Sequence, residues 1–326
     1  MKFKYLPMLS LVLLLGACGT TTNSSSSSSV ESDGVSSSTT STSTSSSSES
    51  DELTMLKAQY GQFSISGDAT LSSDNKTYVI NVGASKKEIV ISGYSEYKFI
   101  IKNGDNLADF KGVKITLSNA CLASTSGTVI EYQLSKKNVS IISSKGTTNY
   151  IINTGSGEDD NGVLSSNHVE LDVKNNSTLN LKTYTGHCID AEEEIRVYGK
   201  GTVSAYAGHD AFHGKYFYSN NQEEAEEDYE DLSGTVKVTY ALSQAFDCSS
   251  NKAKGAIELT SGSFVISNCE SVFKTDKTLT IASGVTVTAT NISSDPVVRG
   301  ENSTGVTITN NGTFTVNGTA YSKTSV

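Results

Sequence analysis

A six-residue phrase occurs four times in this chain and constrains its fold more than any other feature. The copies are GHCIDA (186–191), HDAFHG (209–214), SQAFDC (243–248) and ESVFKT (270–275), and they start 23, 34 and 27 residues apart. Self-similarity at a spacing of about 20 to 30 residues is typical of solenoids, in which each copy is one coil. The sequence therefore predicts that the four copies stack on one another.

The segments between the copies predict β-strands. They alternate apolar and polar side chains and are separated by Gly, Ser and Asn, and no stretch shows helical periodicity. A β-sandwich also has many short strands, but its strands need not recur at a constant phase. We therefore predict an all-β parallel β-helix, with strands in EIRVYG (194–199), TVSAYA (202–207), TVKVTYA (235–241), AIELTSG (256–262), SFVISN (263–268), TLTIASG (278–284) and VTVTATN (285–291).

Aligning the copies places one apolar residue of each coil in the core. Stacked coils lie about 4.8 Å apart, so these residues form a ladder that points into the core. Aromatic residues at such positions more often pack in the core than stack on a bound sugar. The predicted ladder is Ile189, Phe212, Phe246, Phe273 and Val298.

The position after this ladder carries mixed charge. A solvated column of alternating sign explains it, because like charges on neighbouring strands repel. The alternatives are an oxygen-rich calcium site around Asp190, Asp210 and Asp247, or a glycan cleft with Lys274 and Arg299 at its edge. The predicted column is Asp190, His213, Asp247, Lys274 and Arg299.

Three of the four histidines, His187, His209 and His213, belong to two adjacent copies. Imidazoles four residues apart hold zinc when a helix places them on one face. The sequence predicts a coil turn here instead, so a transition-metal site and a pH-sensing role both remain hypotheses.

Two other features are candidate binding elements. KYFYSNN (215–221) has three adjacent aromatic residues, Tyr216, Phe217 and Tyr218, which cannot all face a β core; they either bind sugar or form a satellite cluster. The acidic run 223–231 interrupts the repeat and is expected to be a solvated loop, or a flap that collects cations over the histidine-rich coils.

The N-terminus predicts a secreted, lipid-anchored protein. Lys2 and Lys4 precede a short apolar run that ends in Leu15-Gly16-Ala17-Cys18, and this box resembles that of bacterial lipoproteins, in which Cys18 takes the lipid. Residues 1–18 are therefore the predicted signal peptide, and the Ser/Thr-rich residues 19–53 a disordered tether. Residues 54–326 form the predicted β-helix domain, located in the cell envelope on the extracytoplasmic side of the membrane.

The net charge restricts the class of binding partner, and the spacing of the cysteines restricts their chemistry. A net charge of −10 argues against nucleic acid, which requires a basic face, and is compatible with cations or neutral glycans. Cys121, Cys188, Cys248 and Cys269 fit neither a compact disulfide framework nor a paired metal motif, so buried thiols or one disulfide are expected.

The order of motifs resembles a bacterial family of right-handed parallel β-helices described as carbohydrate-binding and polysaccharide-lyase-like, of the clostridial cellulose- and pectin-binding surface protein type. The similar segments are GVKITLSNACLASTSGTVIEYQ (112–133), GEDDNGVLSSNHVELDV (157–173) and the repeated copies. The resemblance implies glycan binding with calcium held by Asp-Gly-Ile aspartates, and it makes Asp159 and Asp160 candidates in a calcium turn. Those aspartates fall on His187, Asp210, Gln244 and Ser271, of which only Asp210 is a carboxylate.

Three functions are compatible with these features. The first is an envelope-anchored protein that binds polysaccharide, with calcium as its possible cofactor, without catalysis. The second is a calcium-dependent pectate-type lyase, for which Lys274, Arg299 or Lys215 would be the base that abstracts a proton. The third is a structural or adhesive surface protein. The sequence favours the first, because nothing in it places a catalytic base.

Overall fold

The computed structural model describes residues 47–103, 112–220, 229–250 and 252–326. Within these ranges the chain is nearly all β and forms a β-solenoid of about 8 turns, which confirms the predicted parallel β-helix. Cys18, the predicted signal peptide and the tether up to residue 46 lie outside the described residues. Residues 221–228 of the acidic insertion also lie outside them.

Each coil contributes to three faces of one continuous hydrogen-bonded sheet, and the strands on each face pair in parallel. Face 1 comprises Thr77–Val82, Lys98–Asn103, Ile130–Tyr132, Val163–Ser165, the first parts of Ile189–Gly199 and Phe212–Ser219, Gln244–Cys248, Ser271–Thr275 and Val297–Arg299.

Face 2 follows face 1 along the chain. It comprises the first parts of Lys87–Ser95 and Val113–Ser124, then Asn138–Ser143, His168–Val173, the second parts of Ile189–Gly199 and Phe212–Ser219, Ala256–Leu259, Thr278–Ile281 and Thr307–Asn310. Face 3 comprises the ends of Lys87–Ser95 and Val113–Ser124, then Thr148–Asn153, Thr178–Thr183, Thr202–Ala207, Thr235–Ala241, Ser263–Cys269, Thr286–Ile292 and Thr313–Val316.

The four sequence copies stack on face 1 in the predicted register. Ile189 pairs with Phe212, Phe212 with Phe246, and Phe246 with Phe273, and all four are fully buried. The next partner of Phe273 is Val297, so the prediction of Val298 was wrong by one residue. Two adjacent valines leave this register ambiguous in the sequence.

Phenylalanine rings fill the core behind the middle coils. Phe246 stacks on Phe212 with ring centroids 5.1 Å apart, and its edge meets Phe217 at 4.7 Å. Phe273 lies 5.4 Å away on the next coil. Aromatic contacts of this kind add to the free energy gained by burying the rings, so the ladder contributes strongly to the stability of these coils.

Short antiparallel strands cover the two ends of the solenoid. At the first end, Ser64–Gly67 pairs with Lys87–Ser95 and Thr70–Leu71 pairs with Thr77–Val82. At the second, Thr319–Ala320 pairs with Thr313–Val316. These pairs occupy hydrogen-bonding groups that an open sheet edge would present to other chains.

An α-helix, Ser47–Tyr60, precedes the first strand, although the sequence predicted a tether to residue 53 and no helix. Its Leu56 packs on the outer side of face 3 against Tyr94, Cys121 and Ile152. Tyr60 donates a hydrogen bond to the backbone oxygen of Thr148 at 2.9 Å. In the described part of the chain, no helix has the length and apolar character needed to span a membrane.

The described end of the acidic insertion lies on face 2. Tyr229 is buried, and its ring lies 4.6 Å from that of Tyr198. Its hydroxyl lies 2.9 Å from both Glu170 Oε2 and Ser140 Oγ. This end of the insertion therefore anchors on face 2. The flap hypothesis concerns mainly residues that lie outside the described part of the chain.

Candidate functional site

Face 1 carries the charged column on its outer side. Asp190 pairs with His213, His213 with Asp247, and Asp247 with Lys274, as predicted. The partner of Lys274 is Val298, so placing Arg299 in this column was wrong. Arg299 is exposed and pairs with Thr275 one position farther along. The column thus spans four coils, a length of about 14 Å at the normal strand spacing.

This column lies in a groove of about 660 Å³. The groove continues over the turn that joins face 1 to face 2, and its size is within the usual range for ligand sites. Most residues on this turn were not predicted from the sequence, because isolated loop side chains carry no periodic signal. The lining residues are Asp190, Ala191, Glu192, Glu193, His213, Gly214, Lys215, Asp247, Ser249, Ser250, Lys252, Lys274, Glu301 and Asn302.

Two lysines of the groove are held by carboxylates. Lys274 Nζ donates to Asp247 Oδ2 at 2.8 Å, and although burial alone would lower the pKa of Lys274, this hydrogen bond and the charge of Asp247 raise it. A hydrogen bond to Glu193 likewise raises the pKa of Lys215. Both amines stay protonated near neutral pH, which disfavours them as the proton-abstracting base of a lyase.

The three histidines meet at the turn that leads into face 1. The ring of His187 stacks on that of His213 with centroids 4.5 Å apart and meets that of His209 edge-on at 4.7 Å. His209 Nδ1 lies 2.9 Å from Asp210 Oδ2, and His213 Nδ1 lies 3.0 Å from Asp190 Oδ1. The solenoid register brings these groups together, because His187 is two residues before the ladder in its coil and Asp210 is two before it in the next.

The protonation preferences of these histidines differ. Burial, followed by the neighbouring His213, lowers the pKa of His187 to about 4. The hydrogen bond to Asp210 raises the pKa of His209. Burial opposes the charged form of His213, but the hydrogen bond and charge of Asp190 outweigh it and raise the pKa of His213. One partly buried, neutral imidazole therefore lies between two imidazoles that carboxylates hold closer to the charged form.

The potential ligand atoms around Asp210 fit calcium poorly. Calcium prefers about six to eight oxygen ligands, whereas the groups nearest Asp210 Oδ2 are imidazole nitrogens. Asp190 also accepts a hydrogen bond from Asn161 Nδ2, and Asp247 accepts them from Lys274 and Ser249, so these carboxylates already have donors. A calcium site that joins all three aspartates therefore stays a prediction.

Asp160 and Asp159 lie in the turn before Val163–Ser165. Asp160 is buried, and its two carboxylate oxygens accept backbone hydrogen bonds from Gly127 and Gly157. Asp159 is exposed. Asp160 thus holds the turn closed, and calcium binding by this pair stays a prediction.

The aromatic run 215–221 divides between core and surface. Phe217 is 0% exposed and packs on Phe246, so the prediction that it contacts ligand at the surface was wrong. Tyr216 and Tyr218 are half-buried on the outer side of face 2, with ring centroids 5.9 Å apart. Lys215 Nζ lies 5.1 Å from the Tyr216 ring. Tyr216 lies just past the groove and is the better placed of the two tyrosines to meet a ligand there.

Comparison with known proteins identifies the family. A family model described as carbohydrate-binding domain-containing protein matches residues 89–321, more than two thirds of the chain. No curated protein and no solved structure matches the chain significantly. The match includes the charged column, the histidine cluster and most of the coils. The chain therefore belongs to this carbohydrate-binding domain-containing family.

Proposed function

We propose that the protein binds a polysaccharide along the outer groove of face 1. The observation that carries the proposal is a groove of about 660 Å³ that follows stacked coils and is lined by polar side chains. Repeated strands place similar groups at equal intervals, which suits a polymer with a repeating unit. Membership of a carbohydrate-binding family supports the same conclusion.

The charges of the groove favour a neutral glycan. Its carboxylates come from Asp190, Glu192, Glu193, Asp247 and Glu301, and its lysines from Lys215, Lys252 and Lys274. Together with the net charge of −10, this excess of acid disfavours a uronate polymer. Carboxylates and ammonium groups form strong hydrogen bonds with sugar hydroxyls, so the pairs of the groove offer both acceptors and donors.

The proposal includes the location of the protein. The box that ends at Cys18 supports a lipid anchor, and the Ser/Thr-rich residues that follow support a tether between membrane and β-helix. We therefore place the domain on the extracytoplasmic side of the envelope, where it would meet cell-surface or environmental polysaccharide. Labelling cells with radioactive palmitate tests the anchor: wild type should incorporate label and Cys18→Ser should not.

Calorimetric titration with defined polysaccharides tests the binding. Neutral glucan, mannan and xylan oligosaccharides should include a ligand, whereas oligogalacturonate should bind more weakly. Repeating the titration with calcium and with a chelator tests the cofactor implied by the family resemblance. If no neutral oligosaccharide binds and oligogalacturonate does, the argument from charge is wrong.

A matched pair of variants localises the site. Asp247→Asn removes the carboxylate that holds Lys274 in the groove, whereas Asp295→Asn removes the same kind of partner from Lys323, an exposed pair 3.3 Å apart outside the groove lining. Asp247→Asn should weaken binding by about tenfold, the usual effect of losing one buried charged hydrogen bond. Asp295→Asn should not change the affinity, and equal losses in both variants would place the site elsewhere.

A further inference from the structure

The histidine cluster has a chemistry that glycan binding does not use. We propose that His187, His209 and Asp210 bind a divalent transition-metal ion of the zinc type at the turn before face 1. Two imidazole nitrogens and one carboxylate oxygen are a common ligand set for zinc, which leaves one position for water or another group. This site differs from an all-oxygen calcium site in its ligands and in its ion.

The distances among the three side chains suit such an ion. His187 Nδ1 lies 3.4 Å from Asp210 Oδ2, and His209 Nδ1 lies 2.9 Å from the same oxygen. All three ligand atoms lie within 4.8 Å of one another. Ligands of a tetrahedral zinc ion at normal bond lengths are about 3.3 Å apart, so small side-chain rotations bring the three atoms into place.

The protein holds two of the ligands in position. Asp210 is 1% exposed, and its Oδ1 accepts a hydrogen bond from the backbone N–H of Gln244 at 2.7 Å, which directs Oδ2 towards the histidines. The backbone N–H of His187 donates a hydrogen bond to Asn161 Oδ1 at 2.8 Å. Such supporting contacts orient ligands and strengthen metal sites.

His187 provides the observation that a hydrogen-bond network alone does not explain. The Nδ1 atom of His187 is buried and makes no hydrogen bond with any residue that the structure describes. A buried polar atom without a partner costs free energy, and a metal ion beside Asp210 would satisfy it. His209, by contrast, is about half exposed, so an ion can reach the cluster from solvent through this side chain.

A second trio, His187, Asp190 and His213, competes for the shared histidine. Its members are better satisfied, because His213 Nδ1 pairs with Asp190 Oδ1 and Asn161 donates to Asp190 Oδ2. The orphaned Nδ1 of His187 lies beside Asp210 Oδ2. These contacts assign the ion to the trio with Asp210.

The test is calorimetric titration of the purified, chelator-stripped protein with Zn²⁺ alone. We expect one ion per chain, and the visible absorption of a Co²⁺-loaded sample should show four-coordinate nitrogen and oxygen ligation. His209→Gln should weaken Zn²⁺ binding by at least about tenfold. The control is His168→Gln, which removes the histidine on face 2 and should leave the affinity unchanged.

Three results would overturn the assignment. Wild type that binds no Zn²⁺ would exclude the site, and His209→Gln with unchanged affinity would remove His209 as a ligand. A greater loss in His213→Gln than in His209→Gln would assign the ion to the second trio. Since an ion that binds only the folded chain raises its melting temperature, Zn²⁺ should also stabilise wild type and the His168 variant but not the His209 variant. Comparing the variants without metal separates loss of binding from loss of folding.

Discussion

Replacing Phe246 with Ala should destabilise the β-helix more than most single substitutions. The ring is 0% exposed and contacts four other phenylalanines, Phe212, Phe217, Phe264 and Phe273, at centroid distances of 5.1, 4.7, 6.2 and 5.4 Å. Truncating a buried side chain in a packed core loses its transfer free energy and leaves a cavity. Because the lost ring also takes part in several aromatic pairs, we expect a cost of about 4 to 5 kcal/mol.

Equilibrium unfolding in guanidinium chloride, followed by far-UV circular dichroism, measures this cost. The control is Val265→Ala on face 3, which truncates a side chain that is 39% exposed and should change the free energy of unfolding by less than about 1 kcal/mol. The denaturant dependence of the transition should be the same in both variants if the whole domain still unfolds together. A loss below about 2 kcal/mol in Phe246→Ala would refute the view that this ladder is the central packing element.

Three further predictions concern other parts of the fold. Tyr229→Phe removes the hydroxyl that donates a hydrogen bond to the buried Glu170, and it should lower the free energy of unfolding by about 1 to 3 kcal/mol in the same assay. An unchanged free energy of unfolding would contradict the anchoring of Tyr229 on face 2. Gly234→Ala should cost about 1 to 3 kcal/mol, because the added Cβ would lie 1.9 Å from the backbone oxygen of Gly201 on the adjacent coil; an unchanged melting temperature would contradict this packing. Burial raises the pKa values of four thiols, to about 12 for Cys188; they are Cys121, Cys188, Cys248 and Cys269. A chromogenic disulfide reagent at pH 8 should therefore react with these thiols only after unfolding, and their rapid reaction in the native chain would refute this.

The repeated phrase made the fold predictable because stacking amplifies a weak local pattern. One inward residue per coil, such as Phe212 or Phe246, repeats at the same phase, and only a solenoid places all of them on one line. The register failed at Val297 and Val298, where two equivalent side chains are adjacent and only backbone hydrogen bonds select between them. The described structure resolves this choice through the pairing of Phe273 with Val297.

The helix Ser47–Tyr60 was missed because its sequence lacks a clear apolar stripe. Its signals are at its C-terminal end, with Lys57 in the last turn and Gly61 immediately after it at a φ of 66°. These agree with the rules for helix termini, but a preceding Ser-rich segment conceals them. The helix forms on the β-helix surface because Leu56 has an apolar site to cover.

The candidate site was only partly accessible from sequence. Register predicted that Asp190, His213, Asp247 and Lys274 share a column, because alignment of the copies fixes which residues are adjacent. It could not predict that Asp210 is shared by two histidines, since that depends on side-chain rotamers at the turn. It also could not identify the contribution of Lys252 or Glu301, which come from turns outside the repeated phrase.

The most direct test of the proposed function is hydrogen exchange of the protein with and without the neutral oligosaccharide that binds best. Binding in the groove should slow amide exchange around residues 190–193, 213–215 and 247–250, which lie on successive coils of face 1 and its following turn. Affinity should also rise with oligosaccharide length until the groove is filled. Protection confined to face 3, with exchange on face 1 unchanged, would contradict the proposed site.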